Sequence, residues 1–105
     1  MQNRDSFLAK YFAEPEREYI SKKNNAAQTI AGLYAAKEAV LKAFGAGIGG
    51  GINLNQVEIF HNINGEPYLN KNSTIVDALK KLGYANASIS ISHDGEYAVA
   101  FCIIF

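Results

Sequence analysis

Two charged side chains four residues apart, Glu38 and Lys42, interrupt a run that is otherwise almost entirely apolar or small. Four-residue spacing stacks them on one side of a helix. Such a pair is ordinarily a surface ion pair contributing about 0.2–0.5 kcal/mol. Two features favour a site instead. The helix has little solvated face left to carry a decorative pair, and a glycine-rich segment, Gly45-Ala46-Gly47-Ile48-Gly49-Gly50-Gly51, follows within a turn. A carboxylate and an ammonium beside free backbone N–H groups suit a metal-bound pyrophosphate. The third charge here, Lys37, projects into an apolar face; its stem is expected to be buried and its head to reach solvent.

The glycine segment is not a P-loop, because it lacks the Gly-Lys-Ser/Thr ending and follows a helix instead of opening one. No strand leads into it, which excludes a dinucleotide fingerprint. His93 precedes Asp94-Gly95 at the end of an alternating segment. A histidine in a turn is usually just exposed, but here it is read as closing a row of serines, Ser88, Ser90 and Ser92, that could make a polar wall for a phosphate-bearing ligand. His61 receives no role. No serine or cysteine nucleophile motif accompanies either histidine.

The elements that must position these groups follow from periodicity. Phe7, Leu8, Tyr11 and Phe12 lie on one face of a short helix over residues 6–12. A second helix starts at Glu14-Pro15-Glu16, with proline in the first turn and acidic groups at the positive dipole end, and runs to residue 21 or 22. The main helix spans residues 26–44 and stops at Gly45. Ile30, Leu33, Tyr34, Val40, Leu41 and Phe44 form its broad apolar face. Ala31, Gly32, Ala35, Ala36, Ala39 and Ala43 line the other side, where another backbone can approach closely.

Beyond the glycines the period changes to two. Val57, Ile59 and His61 alternate with Glu58, Phe60 and Asn62; Asn64-Gly65 signals a turn; and Glu66-Pro67-Tyr68-Leu69 returns as the second strand of a hairpin. Residues 74–82 read as a short helix ending at Gly83. Residues 87–92 alternate strictly, with Ile89 and Ile91 on one face; residues 93–96 turn the chain; and residues 97–105 form an apolar last strand. The expected fold is α+β in a single domain over residues 1–105: helices first, then a largely antiparallel sheet wrapped against the long helix.

Composition narrows the function classes. The chain has 105 residues, 49% hydrophobic and 19% charged, in the range of a folded globular domain. Lysine plus arginine and aspartate plus glutamate each total 10, so the basic surplus of a nucleic-acid binder is missing. Near-zero net charge leaves little self-repulsion against oligomer formation. Cys102 is the only cysteine, which excludes an internal disulfide and a thiolate zinc cage; in its apolar run it reads as a small buried hydrophobe. No stretch has membrane-spanning length and no signal-peptide pattern opens the chain, so a cytoplasmic protein is expected.

At this point the motifs become recognisable. The segment from Ala35 through Lys37-Glu38-Ala39-Val40-Leu41-Lys42-Ala43-Phe44-Gly45-Ala46-Gly47 resembles the Lys-Glu-Ala-x-x-Lys-Ala-x-Gly-Thr-Gly signature of holo-acyl-carrier-protein synthases, members of the 4'-phosphopantetheinyl transferase family. Asn64-Gly65-Glu66-Pro67 looks like that family's Asn-Gly-Lys-Pro hairpin, and Ser90-Ile91-Ser92-His93 is similar to its Ser-x-Ser-His strand end. Phe12, Glu16 and Tyr19 match its Phe-x-x-x-Glu-x-x-Tyr helix entry. The motifs occur in family order and spacing over nearly the whole chain.

The resemblance implies transfer of 4'-phosphopantetheine from coenzyme A to a serine of acyl carrier protein, with Mg²⁺. Glu38 would be a magnesium ligand, and Lys42 would contact the coenzyme A phosphates or help to deprotonate the serine. Gly47, Pro67 and His93 would complete the coenzyme A contacts, Pro67 near the adenine and His93 near the phosphates. It also implies a homotrimer with coenzyme A between neighbouring protomers. Two departures stand against this. The family opens with a Gly-x-Gly-x-Asp-Ile strand that supplies a second magnesium carboxylate, whereas this sequence starts at Met1-Gln2-Asn3-Arg4, already in the following helix; and Ala46 stands where Thr is common. Slow or absent transfer by these 105 residues is therefore expected, and a non-catalytic relative that binds coenzyme A or a carrier protein is the alternative.

Overall fold

The structure is a computed structural model that describes residues 4–24, 26–45, 51–95 and 97–105. Its elements in order are α1 (Arg4–Tyr11), α2 (Glu14–Lys22), α3 (Ala27–Phe44), a 3-10 turn (Leu54–Gln56), β1 (Ile59–His61), β2 (Pro67–Leu69), α4 (Thr74–Lys81), β3 (Ala87–Asp94) and β4 (Tyr97–Ile104). None of the helices is long and apolar enough to cross a membrane.

The expected α+β class and element order hold, with boundaries shifted by a residue or two. Gly45 ends α3 with φ 88°, a left-handed conformation that costs glycine nothing, and its N–H bonds to the Lys42 carbonyl. The strands form two separate two-stranded antiparallel sheets, β1–β2 and β3–β4, instead of the single sheet expected. In the first hairpin Asn62 Oδ1 accepts from the N–H groups of Asn64 and Glu66, both at 2.9 Å, and Gly65 takes φ 82°. That asparagine wraps the turn and sets a register in which Pro67 lies opposite His61.

The core gathers Leu8 and Phe12 from the first helix and its end, Ile20 from α2, Leu33, Ala36, Val40 and Phe44 from α3, Ile59 and Leu69 from the small sheet, and Ile75 and Leu79 from α4. The β3–β4 hairpin lies along the small-residue side of α3, which lets the strand backbones approach. Register fixes its two faces. Ala87, Ile89, Ile91 and His93 sit opposite Ile104, Cys102, Ala100 and Ala98 on the inner face. Ser88, Ser90 and Ser92 sit opposite Ile103, Phe101 and Val99 on the outer face, where Phe101 is 69% and Ile103 64% exposed.

This register corrects one expectation. His93 does not close the serine row: it lies within β3, one residue out of phase with Ser92, and belongs to the inner face towards α3. Side chains alternate across a strand, so an odd-numbered residue here shares its side with Ile89 and Ile91.

Candidate functional site

Lys37 also departs from expectation. Its ammonium does not reach solvent but is wholly buried, bonded to Glu16 Oε1 and, at 2.8 Å, to the Leu54 carbonyl, with the Phe12 ring centroid 4.9 Å away. Glu16 is equally buried and answers with both oxygens: Oε1 also accepts from Ala13 N–H at the start of α2, and Oε2 accepts from Ile59 N–H at 2.9 Å. Burial pushes the Glu16 carboxyl up and the Lys37 ammonium down, each opposed by the charge of the other.

Glu38 and Lys42, by contrast, are both exposed on α3 and do not pair with each other; among the described residues the ion pairs are Lys22–Glu18 and Lys37–Glu16. The surface ion pair that their spacing allows is therefore not formed. Both side chains open into a groove of about 490 Å³ that also involves Ala35, Ala39, Ala43 and, from β4, Ala100, Phe101 and Cys102. Cys102 is half-buried in this groove, and burial raises its thiol, which keeps it a neutral wall.

Pro67 and His93 meet in a different cleft, of about 250 Å³, with Tyr19, Thr29, Gly32, His61 and Ile91. Gly32 makes it possible. A Cβ built on Gly32 would stand 2.7 Å from His93 Cε1 and 3.1 Å from His93 Nε2, so the imidazole lies directly on the helix backbone. Gly32→Ala is expected to fold with a small loss of melting temperature while displacing the His93 imidazole. The His93 ring resonances in NMR spectra beside a thermal melt check this, and unmoved resonances would mean that the ring does not rest on Gly32.

Two residues that sequence reasoning passed over line this cleft. Tyr19 and His61 stack at 4.0 Å with their planes 2° apart. Burial lowers the His61 imidazole, with Lys23 adding to the effect, so it is held neutral. A two-residue Asn-Gly turn would have set His61 opposite Tyr68; instead Asn62 bonds to Glu66 across the three-residue loop Ile63-Asn64-Gly65, which sets His61 opposite Pro67.

The two clefts flank opposite edges of one helix face. With Gly32, Ala36, Ala39 and Ala43 along the midline under the β3–β4 hairpin, Thr29 and Leu33 fall on one flank and Ala35, Glu38 and Lys42 on the other, at about 100° per residue. A single chain therefore brings Glu38 to Lys42 and Pro67 to His93, but among the described residues no cleft holds both pairs. Gly47 and the rest of residues 46–50 lie outside the described residues. Among the described residues no cluster of three or more His, Cys, Asp or Glu side chains could hold a metal ion. Among the described residues Glu38 is the single carboxylate lining its groove and can offer a hard cation one ligand.

The helices and paired hairpins of this fold recur in known proteins. The profile of the 4'-phosphopantetheinyl transferase superfamily matches residues 1–102, and the chain belongs to that superfamily. Within it, the chain is 40% identical over 104 residues to the holo-[acyl-carrier-protein] synthase of Finegoldia magna, covering 99% of this chain and 82% of that protein. It is 34% identical over 103 residues to the corresponding synthase of Trichlorobacter lovleyi, covering 98% and 82%. Among solved structures, the Helicobacter pylori holo-[acyl-carrier-protein] synthase in complex with coenzyme A superimposes with a TM-score of 0.78 at 26% identity, covering 94% of this chain and 81% of that one. The synthase from Neisseria meningitidis reaches a TM-score of 0.86 at 24% identity, with 97% and 82% covered, and speaks for the fold.

Proposed function

We propose that this chain transfers 4'-phosphopantetheine from coenzyme A to a serine hydroxyl of an acyl carrier protein. The observation that carries the reading is the exposed Glu38 and Lys42 side by side in one groove, in no ion pair among the described residues, on a chain whose curated relatives are holo-[acyl-carrier-protein] synthases. In the reaction the serine oxygen bonds to the β-phosphorus of coenzyme A, the bridging P–O bond breaks, and adenosine 3',5'-bisphosphate departs with the electron pair. The serine proton is lost to solvent. Such a displacement depends on positioning and on neutralising phosphate charge more than on a strong nucleophile.

Lys42 is assigned to the pyrophosphate as a point charge on a flexible stem, and Gly47 to its backbone contacts. Pro67 and His93, with the Tyr19–His61 stack beside them, are assigned to the nucleotide end. Glu38 would hold Mg²⁺, most of whose remaining ligands would be phosphate oxygens and water; when bound, the ion would neutralise charge on the pyrophosphate. The flat outer face of β4, with Val99, Phe101 and Ile103 exposed, supports self-association, and a homotrimer would set the Glu38–Lys42 groove of one protomer against the Pro67–His93 cleft of the next.

The test uses an apo carrier protein, coenzyme A and Mg²⁺, read by mass spectrometry. Glu38→Gln should fold like the parent, since helix propensity and shape barely change, and should lose at least about tenfold in transfer, roughly 1.4 kcal/mol of barrier. Lys42→Ala should lose a similar factor in coenzyme A affinity. Parent-like transfer in both variants would overturn the assignment, and coenzyme A binding without transfer in the parent would mark a binding-only relative.

A further inference from the structure

Glu16 and Lys37 touch neither cleft, yet they occupy the centre of the molecule. A core that keeps two opposite charges needs a reason, because apolar residues of similar volume are often as stable, and a fixed register is the best-attested use of such a pair. Here the pair is connected to four elements at once: Ala13 N–H of the α2 start, Lys37 on α3, the Leu54 carbonyl and Ile59 N–H on β1. Three of those connections lead to the candidate site. Lys37 directly precedes Glu38, so anchoring its ammonium fixes the rotation of α3 and with it the directions of Glu38 and Lys42. Leu54 lies just past the glycine-rich segment. Ile59 is two residues from His61, whose strand partner is Pro67.

We propose that Glu16 and Lys37 are positioning residues for phosphopantetheine transfer, a buried clamp that holds the Glu38–Lys42 face of α3, the chain at Leu54 and the β1–β2 hairpin in one arrangement. The inference rests on the transfer reading above. The opposing effects of burial on the two groups fit a pair that is kept ionised only by mutual contact and by the N–H groups aimed at Glu16. Nothing in the clamp moves a proton or meets a substrate; it acts through Glu38, Lys42 and Pro67.

The test is a double substitution, Glu16→Gln with Lys37→Met, which removes both charges together and leaves an acceptor for Ile59 N–H. It should melt cooperatively, lose about tenfold or more in kcat, and keep KM for the carrier protein within about threefold, the pattern of a group needed in the transition state and not for docking. A folded double variant with parent kcat overturns the proposal. Should the double variant not fold, Glu16→Asp keeps the charge but draws the carboxylate back by one methylene; a several-fold loss of kcat supports the clamp, and parent kcat overturns it. Amide exchange over residues 54–59 separates this from the functional reading. In a parent chain that transfers nothing, the transfer reading falls, while faster exchange there in the variant, with α4 unchanged, still upholds the clamp and parent-like exchange overturns it.

Discussion

Lys37→Met alone should destabilise the chain by about 3–5 kcal/mol at neutral pH, because it leaves the Glu16 carboxylate buried without its counter-charge. The loss is a large fraction of the about 5–15 kcal/mol that holds a typical domain together, so a partly unfolded protein at 37 °C is the expected result. Its pH dependence distinguishes this cause from a packing defect. In the variant Glu16 has lost the ammonium that opposed its desolvation, so its folded pKa rises further above the unfolded value. A group raised in the folded state contributes stability that is present below its unfolded pKa and lost as pH rises through the folded one. The deficit of Lys37→Met relative to the parent should therefore shrink as pH falls from 7 towards the ordinary glutamate range. Denaturant melts at a series of pH values measure it. A deficit independent of pH would mean that the side-chain stem, not its charge, carries the effect.

Much of the scaffold was legible because its signals are local. Pro15 in a first turn, Gly45 after the last apolar residue of α3 and Asn64-Gly65 between alternating segments each mark a boundary through backbone geometry that few other residues satisfy. That Glu38 and Lys42 share one side of α3 was legible for a related reason, since their spacing and their isolation among alanines can be read without knowing what lies opposite. The Glu16–Lys37 pair was not. Nothing within either segment states that a carboxylate on α2 will meet an ammonium 21 residues away, and a lysine on an apolar face more commonly sends its head to solvent. His93 was misplaced because the strand runs two residues further than Ser92, up to Asp94. Once the strand includes it, parity alone moves it from the serine face to the face against Gly32. The single sheet was replaced by two hairpins because a strand's partner is a tertiary property, which alternation along one segment cannot supply.

Mixing two inactive variants should restore activity if the site is assembled between copies. Glu38→Gln spoils the groove on one flank of α3, and His93→Ala spoils the cleft on the other; each alone should transfer at least about tenfold more slowly than the parent. In a closed ring each site would take its Glu38 half from one protomer and its His93 half from the neighbour. After unfolding and refolding an equimolar mixture, half of the first halves and half of the second halves are intact, so about a quarter of the sites should carry both. The mixture should then regain about a quarter of parent activity. The proposed homotrimer motivates this, because the two pairs line separate clefts of one chain and a neighbouring copy would set one pair against the other. Ile103→Lys supplies the control. It puts a charge on the outer apolar face, 64% exposed and away from both clefts, and should yield a folded monomer by light scattering with transfer abolished. A mixture no more active than its components, with the parent shown to be oligomeric, would place all the working residues within one protomer.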